Sequence, residues 1–306
     1  MNPNQIAIEA LKAAYRKQVE LSNEGTIGIR VSKGAGGDIS LTGDVESEEE
    51  VIRVLKENNF PAIVYAEEHS AWEPMKIGDE EPNYLVVLDG FDGSSALARD
   101  KNARGGTMLA ISESLNPKYG DFFFGGITDF STNRILYFAG GKVFLYEGLD
   151  KLFPISRELG KFQIKKFDSE TKIHLDDPKY VGNYEDGITS HLDKIAQAVR
   201  KNFTSKLEET VELSGLNSSG AMCLDLAVGK VDAIGGVSAK GVFEQPAEYP
   251  IIKSLGGTIV DSNGKDIGEN YWLEDRKLHK ENPAPSLRAS SPELAREILE
   301  YLHSKN

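Results

Sequence analysis

The stretch Leu88-Asp89-Gly90-Phe91-Asp92-Gly93-Ser94-Ser95 constrains this chain more than any other. It follows Asn83-Tyr84-Leu85-Val86-Val87, a run rich in β-branched and aromatic residues that has the pattern of a buried strand. The two aspartates are hard oxygen ligands of the kind that suits Mg2+. The two glycines let the backbone turn sharply and bring bare N–H groups against an anion. The serine hydroxyls can donate to phosphate or position a water. Read as chemistry, the octet suggests metal-assisted phosphoryl reactions. Read as local structure, Asp-Gly repeats after a strand are turns.

A second acid-terminated strand shifts the balance. Pro61-Ala62-Ile63-Val64-Tyr65-Ala66 runs into Glu67-Glu68-His69. If the two strands are neighbours, Glu68, Asp89 and Asp92 converge, and buried carboxylates repel one another unless a cation neutralises them. The formal charge of −13 argues against a nucleic-acid polymer or an anionic membrane as partner. It does not argue against a small anionic substrate, because bound Mg2+ reverses the local field. Cys223 is the only cysteine, which excludes an internal disulfide and a cysteine-rich zinc site and suits the cytoplasm. The start of the chain lacks a signal-peptide pattern, and no apolar run approaches the roughly 20 residues of a membrane span. The histidines show no metal-ligand spacing.

Periodicity predicts a first helix over Asn4 to Ser22, a strand over Gly25 to Val31, a turn at Gly34 to Gly37 and a second helix over Glu46 to Asn58. Asp44 stands where it can cap that second helix. Arg104 to Ser112, Phe122 to Asp129, Arg134 to Ala139 and Lys142 to Glu147 read as successive strands of an antiparallel sheet, with Phe122-Phe123-Phe124 as core or interface. Polar sequence from Ser156 to Thr171 marks a boundary, giving an N-terminal part over residues 1–165 and a C-terminal part over 166–306. In the second part, Lys172 to Leu175 and Tyr180 to Gly182 look like strands and Gly187 to Phe203 like a helix. Ser219 to Gly229 reads as a helix, Val231 to Ile234 as a strand, Gln245 to Gly256 as a helix and Thr258 to Asp261 as a strand, with a last helix opening at Ser291-Pro292. Alternating strands and helices indicate an α/β layer.

Four blocks, in order, resemble the magnesium-dependent, lithium-sensitive phosphatase superfamily of inositol monophosphatases, fructose-1,6-bisphosphatases and bisphosphate nucleotidases. Ala66-Glu67-Glu68 resembles its paired-glutamate motif, and Leu88 to Ser94 its Asp-Pro-(Ile/Leu)-Asp-Gly-(Ser/Thr) signature. Phe243-Glu244-Gln245-Pro246-Ala247 through Gly256-Gly257 resembles its late Trp-Asp-x-Ala…Gly-Gly motif, and Leu41-Thr42-Gly43-Asp44 its Thr-Asp segment. The resemblance implies an α+β fold, a layered α/β/α/β/α sandwich, assembled as a homodimer. It implies two or three Mg2+ ions: one held by Glu68, Asp89 and the Phe91 carbonyl, a second by Asp89, Asp92 and Glu244, with Glu67 or Glu68 assisting a third. It implies that Ser94, partnered by Asp44, positions the attacking water, that Glu68 takes part in catalysis, and that backbone N–H groups of Gly93, Ser94 and Ser95 hold the substrate phosphate. Attack is then direct, on a small phosphorylated metabolite such as an inositol or sugar phosphate. An aspartyl-phosphate route ranks low, since Asp89 and Asp92 are three apart and phosphatases of that kind carry aspartates two apart.

This chain departs from the pattern at identifiable positions. Gly90 replaces proline, which predicts a looser loop that orders on binding metal. Glu244 replaces aspartate, which changes the reach to the second ion. Phe243 replaces tryptophan. The acidic residue that contacts inositol has no counterpart in Val237-Ser238-Ala239-Lys240-Gly241, where Lys240 could reach a second phosphate or a hydroxyl. Arg104, before Gly105-Gly106, either approaches phosphate or fixes a turn. Gly93-Ser94-Ser95 resembles the fructose-1,6-bisphosphatase form of the signature, so a sugar bisphosphatase, a 3′-nucleotidase and a non-catalytic metal- or phosphate-binding relative stand as alternatives.

Overall fold

The computed structural model describes residues 2–33, 39–98, 100, 102–149, 155–175, 212–215, 218–238, 241–281 and 284–304, and the elements below are those of the described residues. In chain order they begin with α1 (Pro3–Glu24), β1 (Arg30–Lys33), β2 (Ile39–Leu41), α2 (Thr42–Glu57), β3 (Ala62–Ala66), β4 (Met75–Ile77), β5 (Tyr84–Asp92) and a short α3 (Ser94–Leu97). β6 (Gly106–Ser112), β7 (Phe122–Asp129), β8 (Arg134–Ala139), β9 (Lys142–Glu147) and β10 (Ile155–Glu158) follow. Then come β11 (Lys172–Leu175), β12 (Glu212–Gly215), α4 (Ser219–Ala227), β13 (Ala233–Ser238), α5 (Gly241–Ser254), β14 (Thr258–Asp261), α6 (Trp272–Glu281), β15 (Ala284–Ala289) and α7 (Pro292–Ser304).

Strand alternation sets the layers. In β5, Val86 and Leu88 join the core under α1 and α2, while Leu85 and Val87 join the core on the opposite face. A strand buried on both faces belongs in the middle of a stack. It lies inside an eight-stranded sheet of order β10-β9-β8-β7-β6-β5-β3-β4, antiparallel except where β3 runs parallel to β5. Leu11, Val51 and Leu55 of α1 and α2 cover one face with Phe124. On the other face Leu224 of α4, Ile251 of α5 and Trp272 of α6 lie between Val87 and Met108 of this sheet and Ile234 and Ile259 of a second one. The second sheet has the order β12-β11-β13-β15-β14, with β11 parallel to both of its neighbours. Leu294, Ile298 and Leu302 of α7 close its outer face against Leu287. The result is the expected α/β/α/β/α sandwich.

Two glycines make the stack close. A Cβ on Gly125 of β7 would stand 2.4 Å from the Ala247 carbonyl oxygen, so the backbone of α5 rests directly on the sheet there. A Cβ on Gly90 of β5 would stand 2.1 Å from the Asp44 carbonyl oxygen of α2. The Gly90 carbonyl accepts from Gln18 Nε2 (3.3 Å) and Thr107 Oγ1 (2.9 Å). This corrects the expectation of a loose loop: packing on α2 and two buried hydrogen bonds replace the rigidity of a proline ring.

Other boundaries move for local reasons. The predicted strand over Gly25 to Val31 begins only at Arg30, because Gly25, at φ +72°, caps α1 and donates to Ser22 O. Helix α2 starts at Thr42 rather than Glu46, with the Asp44 carboxylate accepting from Leu41 N–H at 2.6 Å. Helix α5 starts at Gly241 rather than Gln245 despite containing Pro246 and Pro250. Pro246 cannot donate to the Val242 carbonyl, and the indole N–H of Trp272 donates there instead. The predicted turn at Gly34 to Gly37, strand Tyr180 to Gly182 and helix Gly187 to Phe203, and Lys240, lie outside the described residues.

Substituting Gly90→Ala is expected to cost about 3 kcal/mol of stability through overpacking against α2. Urea denaturation checks this, and a variant as stable as the parent would show that α2 does not bear on β5 at that point.

Candidate active site

Strand register decides which acids meet. β3 and β5 pair in parallel with Ala66 opposite Leu88, and Glu67 N–H donates to Leu88 O at 3.0 Å. The next residue on β5 is Asp89, which continues the face carrying Val87, toward the inter-sheet core; β3 ends at Ala66, and Glu67 opens the turn that follows it. Asp92, three residues after Asp89, belongs on the opposite face of a regular strand. The ladder to β6 pairs Asp89 with Met108 and Asp92 with Gly106, so β5 spends one residue more than its partner over this interval. This β-bulge at Gly90-Phe91 returns Asp92 to the face of Asp89. Phe91 N–H donates to Asp89 Oδ1 at 3.0 Å, and its ring packs at a tilt against Phe130.

Helices of the middle layer complete the cluster. Asp92 Oδ2 accepts from Ser218 Oγ at 2.6 Å and from Gly220 N–H at 2.7 Å, at the start of α4. Glu244 enters from the first turn of α5. Asp89, Asp92 and Glu244 each offer an oxygen within 4.8 Å of the others'. Burial, then the charges of Glu67, Asp92, Glu244 and Asp44, push the Asp89 carboxyl well above its ordinary range. Burial raises Asp92 to about 6, against the pull of the bonds from Ser218 and Gly220. Carboxylates packed this closely either share protons or hold a cation, and an all-oxygen donor set fits a hard divalent ion.

The remaining predicted residues have distinct surroundings. The Glu68 carboxylate accepts from Ser40 Oγ and its N–H donates to Glu48 Oε1 at 3.0 Å. The charge of Glu67 acts on Asp89. Asp44 is buried in the first turn of α2, caps it, and its charge also acts on Asp89. Gly93, at φ +99°, turns the chain from β5 into α3, which begins at Ser94 and Ser95. Arg104 is structural: its guanidinium binds Asp129 (2.7 Å) and Asp225 (2.6 Å), tying β7 to α4.

Sequence reading missed the residues that hold these in place. Gln18, fully buried on α1, donates to Thr107 Oγ1 at 2.8 Å as well as to Gly90 O. Glu48, fully buried on α2, accepts from the N–H groups of Glu68 and His69 and pairs with His69 Nδ1 at 2.7 Å. Their only sequence signal is a polar residue on the apolar stripe of each helix.

No family model and no curated protein matches the sequence. Solved structures match over nearly the whole chain. Fructose-1,6-bisphosphatase of Leishmania major superposes with TM-score 0.70 at 14% identity, covering 98% of this chain and 94% of that one. The putative sedoheptulose-1,7 bisphosphatase of Toxoplasma gondii gives TM-score 0.68 at 14% identity, with 98% and 94% covered. The IMPase of Thermotoga maritima gives TM-score 0.63 at 14% identity, with 99% and 98% covered. The chain therefore has the fold shared by inositol monophosphatases and fructose-1,6-bisphosphatases.

The raised Asp92 carboxyl gives a signed pH effect. Between 3.8 and about 6 the folded chain keeps a proton that the unfolded chain has released, so stability falls as pH rises through that window. In chelator, the melting temperature of the parent is expected to fall relative to Asp92→Asn by about 4 °C or more between pH 4 and pH 7. Parallel curves for the two proteins would show that Asp92 titrates as an ordinary carboxylate.

Proposed function

We propose that this chain is a Mg2+-dependent phosphatase that hydrolyses a small phosphate monoester, an inositol monophosphate or a sugar phosphate. The observation that carries the reading is the convergence of Asp89, Asp92 and Glu244, buried or half-buried acids from two elements with oxygens within 4.8 Å. The fold shared with phosphatases supports it. Asp89, Asp92, Glu244 and the Phe91 carbonyl form the metal-binding set. Glu67 joins them ahead of Glu68, a ranking supported by the action of its charge on Asp89. Mg2+ held there would neutralise phosphate oxygens and favour deprotonation of water.

The chain's own groups supply the rest of the mechanism. Backbone N–H groups of Gly93, Ser94 and Ser95, at the turn into α3, hold the phosphate. Ser94 and Asp44 orient the attacking water, with Asp44 accepting through an oxygen while its cap to Leu41 fixes the carboxylate. The Ser218 and Gly220 bonds hold one Asp92 oxygen and aim the other into the cluster. A homodimer in the cytoplasm completes the reading, on the family resemblance and the single buried Cys223. A sugar bisphosphate is the second substrate reading, favoured by Gly93-Ser94-Ser95.

Phosphate release from inositol-1-phosphate, fructose-1,6-bisphosphate and adenosine-3′,5′-bisphosphate, each with Mg2+ and with chelator, tests the proposal. Chelator-sensitive release from one of them is expected. Cation binding without release from any would favour a non-catalytic relative. Asp89→Asn should lower turnover at least about a hundredfold, and Glu67→Gln should lower it more than Glu68→Gln. Near-normal turnover in folded Asp89→Asn protein, or the reverse order of the two glutamines, would remove the corresponding assignment.

A further inference from the structure

Buried guanidinium groups in this chain are normally satisfied. Arg288 donates to Glu248 through Nε (2.9 Å) and Nη2 (2.6 Å), and also to Ser219 and Ser286. Arg104 has two aspartates. Arg276 on α6 is handled differently. It is 3% exposed, yet its Nε and Nη2 are buried without a hydrogen-bond partner among the described residues. Its surroundings are four aromatic rings, with Cζ 4.5 Å from the ring centroid of Tyr65, 4.6 Å from Trp72, 5.6 Å from Trp272 and 5.9 Å from Phe243. Ring faces attract the charge but leave the in-plane N–H donors unmet, and an unmatched buried donor is costly. Burial lowers the Arg276 pKa, as expected for a charge held out of water without a carboxylate beside it.

The unmet donors have a specific geometry. Nε–H and Nη2–H form the side-on edge of a guanidinium, the edge that grips a phosphate or carboxylate with two parallel bonds. The cage shares its elements with the acidic cluster. Tyr65 is the penultimate residue of β3, two before Glu67, and Phe243 immediately precedes Glu244. Trp72, 37% exposed, is the outward wall.

We propose that Arg276 is a second oxyanion-binding point, taking the anionic group of the substrate remote from the phosphate that is hydrolysed, with Trp72 as a movable cover. Its use in catalysis rests on the phosphatase reading above; its binding of an oxyanion does not. The substrate class it selects is a metabolite with two anionic groups, such as a sugar bisphosphate.

Trp72 and Trp272 are the chain's only tryptophans, and both stack on Arg276, so their fluorescence reports on this site. The full chain is titrated with inorganic phosphate in chelator, with ionic strength held constant by chloride. A saturable change is expected in the parent, lost in Arg276→Met and weakened in Arg276→Lys, which keeps the charge but not the fork. A flat titration of the parent, or an undiminished response in both variants, would make Arg276 a packing cation and overturn the proposal. With Mg2+, Arg276→Met should raise KM for fructose-1,6-bisphosphate at least about tenfold while leaving KM for inositol-1-phosphate and both kcat values within about twofold. Equal losses on both esters would overturn the assignment to a second substrate anion. If the parent hydrolyses none of the three esters named above, the phosphatase reading fails, and the fluorescence titration still decides whether Arg276 binds an oxyanion.

Discussion

Two carboxylates three residues apart on one strand point to opposite faces, and everything at this site follows from the extra residue that reverses this. The bulge at Gly90-Phe91 puts Asp89 and Asp92 on the same side of β5. Bringing them together raises their repulsion, so the fold must hold the bulge against a force that would undo it. It does so from the opposite side of the sheet. Gln18 of α1 and Thr107 of β6 donate to the Gly90 carbonyl, and α2 presses its Asp44 carbonyl onto the Gly90 Cα. The outer helical layer thus braces the bulge, and through Asp44 its charge also reaches Asp89.

The middle layer contributes the opposite kind of support. Asp92 is held at the start of α4, where Ser218 and Gly220 donate to one of its oxygens. That helix start is itself braced: Ser219 Oγ donates to Glu248 of α5 at 2.6 Å, and Glu248 is paired with Arg288 of the second sheet. A buried pair of this type gains little net stability, but it fixes where its elements sit. Here it sets the distance between α4, which carries the donors to Asp92, and α5, which carries Glu244.

The layered architecture was legible because its signals are local. Alternation marked β5 and β7, and helical stripes marked α1 and α2. The pairing of β3 with β5 was inferred from two runs that both end in acids. The errors came where a backbone group finds an unexpected partner. Gly25 turns the chain out of α1 without starting a strand, and Trp272 supplies the donor that Pro246 lacks, so α5 starts earlier than its prolines suggest. At the site, residue types were legible and orientation was not. Glu67 and Glu68 are chemically identical neighbours in the turn after β3, where strand alternation no longer says which way each one faces: the charge of Glu67 acts on Asp89, and Glu68 accepts from Ser40. Gln18 and Glu48 were invisible for a different reason: their partners, backbone and side-chain atoms alike, are distant in sequence, and nothing in a helical stripe says what a polar residue on it will meet.

The treatment of charge gives the site its direction. A chain of formal charge −13 repels anionic metabolites at long range, so recognition has to be local and oriented. Acids concentrated on the β5 face can attract a phosphate only after a cation has reversed their field. Cationic side chains nearby are mostly committed elsewhere: Arg104 to Asp129 and Asp225, and Arg288 to Glu248. Arg276 is set apart by walls of π faces in place of carboxylates, which keep it charged without neutralising it.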